Sequence, residues 1–146
     1  MVNAHNVRKL MIDTNCFIYL IEGNRYPDFL ARVEPLFNEL HDGSFQGLTS
    51  PITLTEIMTM PRKKGREDLA YIYKSLICNF PNLAIPSIDN NVADQAATLR
   101  ASYNIKTPDA IQIATGIVYG ASAFVTFDQE LKRVSPLIKV IIPGEE

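Results

Sequence analysis

The sequence predicts an α/β fold, a three-layer α/β/α sandwich around a central, mostly parallel sheet. Short apolar runs of strand character alternate repeatedly with longer stretches of helical periodicity. No hairpin-type turn joins one strand to the next, which favours a parallel sheet covered on both faces. Hydrophobic residues make up 47% of 146, enough for one sizeable core, and no repeat, low-complexity linker or composition shift divides the chain. The expectation is one domain over residues 1–146.

The first element is the run Leu10-Met11-Ile12, a buried strand that stops at Asp13 and two small polar residues, Thr14 and Asn15. Cys16 to Ile21 is apolar on all sides and reads as a short buried helix closed by Gly23 and Asn24. From Asp28 to His41, Phe29, Val33, Leu36, Phe37 and Leu40 recur at helical spacing, and Asp42-Gly43 stops that helix. A brief strand, Gln46-Gly47-Leu48-Thr49, leads to Ser50-Pro51, a helix cap followed by proline at the first helical position. The helix from Pro51 carries Glu56 and is expected to break at Pro61, leaving Arg62, Lys63, Lys64 and Arg66 in a loop.

Glu67 to Phe80 reads as a one-sided helix with Leu69, Ile72, Tyr73, Leu76, Ile77 and Phe80 inward. Leu83-Ala84-Ile85 is a short strand. Asp89 can cap a helix with Val92, Ala93, Ala96, Leu99 and Tyr103 inward, ended by Asn104. Thr107-Pro108 repeats the cap-and-proline signature, and the next helix, with Ala110, Ile111, Ile113, Ala114, Ile117 and Val118, is apolar nearly all round and reads as the central buried one. Ala123-Phe124-Val125-Thr126 runs as a strand into Phe127-Asp128, and Leu137 to Ile142 is the last strand.

With 14 basic and 16 acidic residues, the formal charge of −2 supplies no global attraction to nucleic acid or anionic membrane, so any polyanion contact must be local. Cys16 and Cys78 lack metal-type spacing and read as reduced thiols in the core of a cytoplasmic protein. The apolar runs are too short to span a bilayer, and the start, with Asn3, His5 and Asn6, lacks the apolar centre of a signal peptide, so a soluble, unexported protein without a membrane partner is expected.

Four carboxylates stand out by position: Asp13 and Asp128 just past strands, Asp109 in the first turn of the buried helix, and Glu56 on a helix after a short strand. Each has a plain structural alternative. Asp13 and Asp128 suit helix caps, Asp109 suits a helix dipole, and Glu56 suits an exposed helix face. Parallel topology would nevertheless bring Asp13 and Asp128 to one sheet edge with the other two acids above it. Four carboxylates together require cations, and an oxygen-only set suits magnesium or manganese. Such an ion activates water and stabilises charge at phosphorus, the chemistry of phosphodiester hydrolysis. Asn15 and Thr126 are placed to add neutral oxygens or orient the ion's waters. Arg62, Lys63, Lys64 and Arg66 could line a nucleic-acid path or simply be a solvated loop. His5 and His41 receive no role.

Asp13-Thr14-Asn15 after the first strand, the Thr55-Glu56-Ile57 helix, Thr107-Pro108-Asp109-Ala110 with Ile113-Ala114-Thr115, and Phe124-Val125-Thr126-Phe127-Asp128 resemble the four motifs of a PIN domain, and most closely those of VapC-like toxins. The resemblance covers nearly the whole chain. It implies a parallel sheet with helices on both faces and acids matching Asp13, Glu56, Asp109 and Asp128 that bind one or two magnesium or manganese ions for RNA cleavage. It also implies an antitoxin partner and a homodimer, with the helices between Asp28 and Phe80 as its surface. Two positions depart from the pattern. Phe127 replaces a common asparagine and removes a polar contact, and Gly116 replaces a common alanine and loosens its helix by about 1 kcal/mol. A non-catalytic PIN-like binding module and a housekeeping nuclease are the alternatives, while Asn15, where phosphotransferases place a second aspartate, argues against a phosphoaspartyl enzyme.

Overall fold

The computed structural model describes residues 8–145, and the readings of Asn3, His5 and Asn6 lie outside them. In chain order the elements are β1 (Lys9–Ile12), α1 (Thr14–Ile21), a 3-10 turn (Gly23–Arg25), α2 (Pro27–His41), β2 (Gln46–Leu48), α3 (Pro51–Lys63) and α4 (Glu67–Cys78). They continue with β3 (Leu83–Ala84), α5 (Asn90–Tyr103), α6 (Thr107–Val118), β4 (Ala123–Val125), a 3-10 helix (Gln129–Val134) and β5 (Lys139–Ile141).

The five strands form one sheet in the order β3-β2-β1-β4-β5, and every neighbouring pair is parallel. Side chains alternate across it, as the two-residue strand period requires. Leu10, Ile12, Ala123 and Val125 face a core built with Cys16, Phe17, Val33, Phe37, Leu40, Ile57 and Ile77 from α1 to α4. Met11 and Phe124 face a second core with Val92, Ala96, Leu99, Ala110, Ile113 and Ala114 from α5 and α6. The expected sandwich is therefore present, with both faces of β1 and β4 buried.

Strand order also locates the functional edge. β2 and β3 extend the sheet to one side of β1, whereas β4 and β5 lie on the other. The winding thus reverses between β1 and β4, and in open α/β sheets ligands bind beyond the carboxyl ends of the strands at that reversal.

Several local expectations are corrected. Pro61 does not break α3, which continues to Lys63, because a proline in the last turn forfeits one hydrogen bond near an end that is well closed. Gly65, at φ +69°, provides that closure as the Arg66 N–H returns to the Pro61 carbonyl at 2.8 Å. Arg62 and Lys63 are therefore helical. Lys106, not Thr107, holds the cap position of α6, and its side chain makes no capping bond. On α4 only Ala70 and Ile77 are fully buried, while Ile72 and Leu76 are 49% and 51% exposed, because the chain turns that face away from the sheet. Ala93 is exposed, and Cys78 is exposed whereas Cys16 is buried, so only one thiol belongs to the core.

The propensity cost of Gly116 is set against a packing reason for the glycine. A Cβ there would lie 2.8 Å from Cβ of Met11, so the missing methyl group lets α6 settle onto β1.

Candidate active site

Asp13 follows β1 directly, with its N–H bonded to the Val125 carbonyl at 2.9 Å, and its side chain is only 6% exposed. Both carboxylate oxygens are used. Oδ1 accepts the Thr14 N–H at 2.8 Å and the Gln112 Nε2 amide at 3.4 Å. Oδ2 accepts the Thr126 hydroxyl at 2.8 Å and a long bond from Asn15 Nδ2 at 3.5 Å. Asp13 is thus the cap of α1 and a member of the cluster at once.

Asn15 and Thr126 lie where they hold Asp13 and the β4 loop together. Thr126 Oγ1 accepts from Asn15 Nδ2 at 3.1 Å and from the Asp128 N–H at 3.0 Å. Asn15 Oδ1 accepts the Phe127 N–H at 3.1 Å. Asp128, half-buried, also caps the following 3-10 helix through the Glu130 N–H at 3.0 Å. The Phe127 ring, in place of a polar side chain, packs edge-on against Tyr19 and Phe29 and lies beneath the Arg32 guanidinium at 5.0 Å. It pins the loop to α1 and α2.

Glu56 lies on the exposed side of α3 and accepts the Thr14 hydroxyl at 2.7 Å. Asp109 is half-buried in the first turn of α6. Charge couples the acids. Burial pushes Asp13 up to about 6, a rise opposed by the Thr126, Thr14 and Gln112 hydrogen bonds and aided by Asp109. Asp109 is raised by burial and then by the negative charges of Asp128 and Glu56, with Lys106 working against them.

Beneath these carboxylates runs a buried polar network that sequence reasoning missed. Ser50, Thr14, Thr49, Thr53 and Gln112 are all buried, Gln112 at 1% exposure. Thr49 donates to the Ile12 carbonyl at 2.9 Å and Thr14 to Glu56, so the single Thr53 hydroxyl hydrogen serves its contacts with Thr49 at 2.8 Å and Thr14 at 3.0 Å. Gln112 joins the set through Thr53 at 2.9 Å and Thr14 at 3.2 Å, and the Ser50 hydroxyl donates to its amide oxygen. Among the described residues no buried side-chain polar atom lacks a partner. The available signal was Gln112 itself, a long polar side chain in a helix otherwise apolar nearly all round, which must find buried partners.

The same edge therefore receives all four acids, but among the described residues no three His, Cys, Asp or Glu side chains are gathered as a ready-made ligand set. Glu56 is turned toward Thr14, whose hydroxyl it accepts. The donor chemistry still fits a hard divalent cation: the four acids offer oxygen alone, and Asp109, raised chiefly by burial, is raised further by the charges of Asp128 and Glu56.

Of the basic residues, Arg62 pairs with Glu67 at 3.2 Å and Arg66 with Asp68 at 2.9 Å. Lys63 and Lys64 form no ion pair among the described residues, and Lys64 shares a cleft with Glu56, Glu22, Met60 and Tyr73. His41 lies 3.7 Å from Asp42 at the end of α2, far in the fold from the acid cluster. No helix among the described residues is long and apolar enough to cross a membrane.

The PIN domain family model matches residues 10–136. No curated protein matches the chain. Among solved structures, a toxin–antitoxin complex from Klebsiella pneumoniae is 26% identical, with a TM-score of 0.65 over 94% of this chain and 99% of that one. VapBC2 from Rickettsia felis, bound to a DNA fragment from its promoter, is 19% identical, with a TM-score of 0.73 over 93% and 99%. VapC20 from Mycobacterium tuberculosis, a toxin that cleaves the sarcin-ricin loop, is 16% identical, with a TM-score of 0.67 over 86% and 94%.

Proposed function

The chain belongs to the PIN domain family, and from that premise we propose that it is a magnesium- or manganese-dependent endoribonuclease, the toxin of a toxin–antitoxin pair. The observation that carries the reading is that Asp13 and Asp128 follow the strands on either side of the sheet's reversal point, while the Asp109 carboxyl, raised chiefly by burial, is raised further by the charges of Asp128 and Glu56.

In this reading the four acids would hold the cation, which would supply charge stabilisation at phosphorus and activation of water. Asp13 is kept in one orientation by Thr14, Thr126 and Gln112. Asn15 and Thr126 fix the loop that carries Asp128. Lys63 and Lys64, with Arg62 and Arg66 more weakly through their acid partners, follow the RNA backbone away from Glu56.

Structures similar in fold come from toxin–antitoxin complexes, which supports a protein antitoxin as partner. The exposed apolar residues Tyr71, Ile72 and Leu76 on α4 support a homodimer through the region between Asp28 and Phe80. An RNA substrate and a protein antitoxin are consistent with a cytoplasmic location.

The test is calorimetric titration of the purified protein with Mn2+, followed by cleavage of a mixed RNA pool in Mg2+. Ion binding with cleavage that Asp13→Asn abolishes supports the reading. Absence of ion binding would leave a non-catalytic PIN-like binding module.

A further inference from the structure

Gln112 matches Asp13 in side-chain hydrogen bonds at the candidate site, although its own side chain is neutral and buried. Its Nε2 reaches Asp13 Oδ1 at 3.4 Å, Thr14 Oγ1 at 3.2 Å and Thr53 Oγ1 at 2.9 Å. The Thr14 hydroxyl in turn donates to Glu56 Oε1 at 2.7 Å. Gln112 also lies one turn after Asp109 on α6, on the same side of the helix. Asp13, just after β1, and Glu56, on α3, are therefore linked through one amide, the first directly and the second by way of Thr14.

The orientation of that amide is determined by chemistry. Ser50 caps α3 by accepting the Ile52 N–H at 3.1 Å, and its own hydroxyl donates to the Gln112 amide oxygen. The ionised Asp13 carboxylate can only accept, so the NH2 end must face Asp13, Thr14 and Thr53, which leaves the amide oxygen toward the Ser50 hydroxyl. Asp13 accepts from the NH2 group directly and Glu56 accepts through Thr14, and a flipped amide would set oxygen against oxygen at Asp13. The first-turn geometry of α3 is thereby coupled to the carboxylate of β1.

We infer that Gln112 is a positioning residue, which holds the Asp13 and Glu56 carboxylates at a fixed separation and angle for the cation and so sets ion affinity without binding the ion. The inference rests on the metal-nuclease reading above. Groups that orient metal-binding carboxylates typically change affinity by about 10- to 100-fold when removed, and that is the range expected here.

The test compares wild type with Gln112→Met, which keeps the length and bulk but loses the amide, using Mn2+ calorimetry and thermal unfolding of the metal-free protein. A Kd for Mn2+ at least about tenfold weaker supports positioning. So does a double-mutant cycle in which the effects of Gln112→Met and Thr14→Val on Mn2+ affinity are non-additive, since both act through one network. Wild-type affinity in folded Gln112→Met overturns the inference and leaves the nuclease reading intact, whereas failure of wild type itself to bind Mn2+ overturns the reading beneath it. Should Gln112→Met not fold, Mg2+ titration of 15N-labelled wild type decides. The Gln112 side-chain amide resonances must shift with the Mg2+ isotherm while those of Gln95, on α5 away from the network, stay still. Unmoved Gln112 resonances in a protein that binds Mg2+ count against it.

Discussion

Thr126 Oγ1 lies 2.8 Å from Asp13 Oδ2 and 3.0 Å from the Asp128 backbone nitrogen, so one hydroxyl fastens the acid after β1 to the loop that carries the acid after β4. Thr126→Val keeps the shape but deprives Asp13, Asn15 and the Asp128 N–H of a buried partner. We expect a loss of about 1–3 kcal/mol in urea unfolding and Mn2+ binding weaker by about 10- to 100-fold. Thr126→Ser, with the hydroxyl restored, should recover most of both. Full Mn2+ affinity in the valine variant would remove Thr126 from the positioning role.

Asp13 predicts an unusual pH dependence. Its carboxyl is raised from 3.8 to about 6, chiefly by burial. Below about 4 the folded and unfolded chains both carry the proton and the folded state is not penalised. As pH climbs from about 4 to about 6 the unfolded chain releases its proton first, so stability of the metal-free protein falls, by up to about 3 kcal/mol, and then levels off. Asp109, raised in the same direction, adds to the fall. Urea midpoints measured in EDTA across this range should show the decline in wild type and a much flatter profile in Asp13→Asn. Saturating Mg2+ should offset the loss at neutral pH. A wild-type profile that rises over this range would contradict the assignment.

Gly116→Ala separates two opposed effects. Alanine improves helix propensity by about 1 kcal/mol, but its Cβ would meet Cβ of Met11 at 2.8 Å. The contact is with the strand rather than with a flexible tip, and overpacking of this kind costs about 1–3 kcal/mol. A lower thermal midpoint is expected. Met11→Ala should rescue it only in part, because it removes the Cγ contact at 3.1 Å but retains the Cβ contact at 2.8 Å.

The positions of Asp13, Asp109 and Asp128 were legible because a strand end or helix start is marked by the abrupt stop of an apolar run, as at Ile12 and Val125. The alternation of strands and helices implied a parallel sheet but left the order of its strands open. What periodicity could not express was reach. Gln112 reads as one polar residue in an apolar helix until α3 is laid beside it, and Thr53 and Ser50 read as ordinary helix-start residues. Pro61 misled because the rule that proline ends helices weakens in a last turn closed by Gly65. The helical spacing of Ile72 and Leu76 identified a real apolar face, but burial depends on what lies opposite, and on α4 the sheet faces Ala70 and Ile77.

That exposed face yields its own prediction. Leu76→Glu places a charge among Tyr71, Ile72 and Phe80 without entering the core. If α4 forms part of a homodimer, light scattering should show wild type as a dimer and the variant as a monomer at the same concentration, with circular dichroism unchanged. A wild-type monomer would reject the dimer.

The basic residues after Glu56 divide by pairing. Arg66 is held by Asp68 through two bonds of 2.9 Å and Arg62 by Glu67, so both are partly neutralised, whereas Lys63 and Lys64 are not. Single-stranded RNA binding in EDTA should therefore depend mainly on the lysines. Each phosphate contact contributes about 0.7 to the slope of log K against log salt, so Lys63→Ala with Lys64→Ala should make that slope shallower by about 1.4, while Arg66→Ala should change it much less. Lys64 borders the Glu56 cleft, and its loss should also lower cleavage at subsaturating RNA more than at saturation, because a backbone contact made equally in the bound and reacting states acts on KM rather than kcat. An unchanged salt slope in the double variant would place the RNA path elsewhere on the molecule.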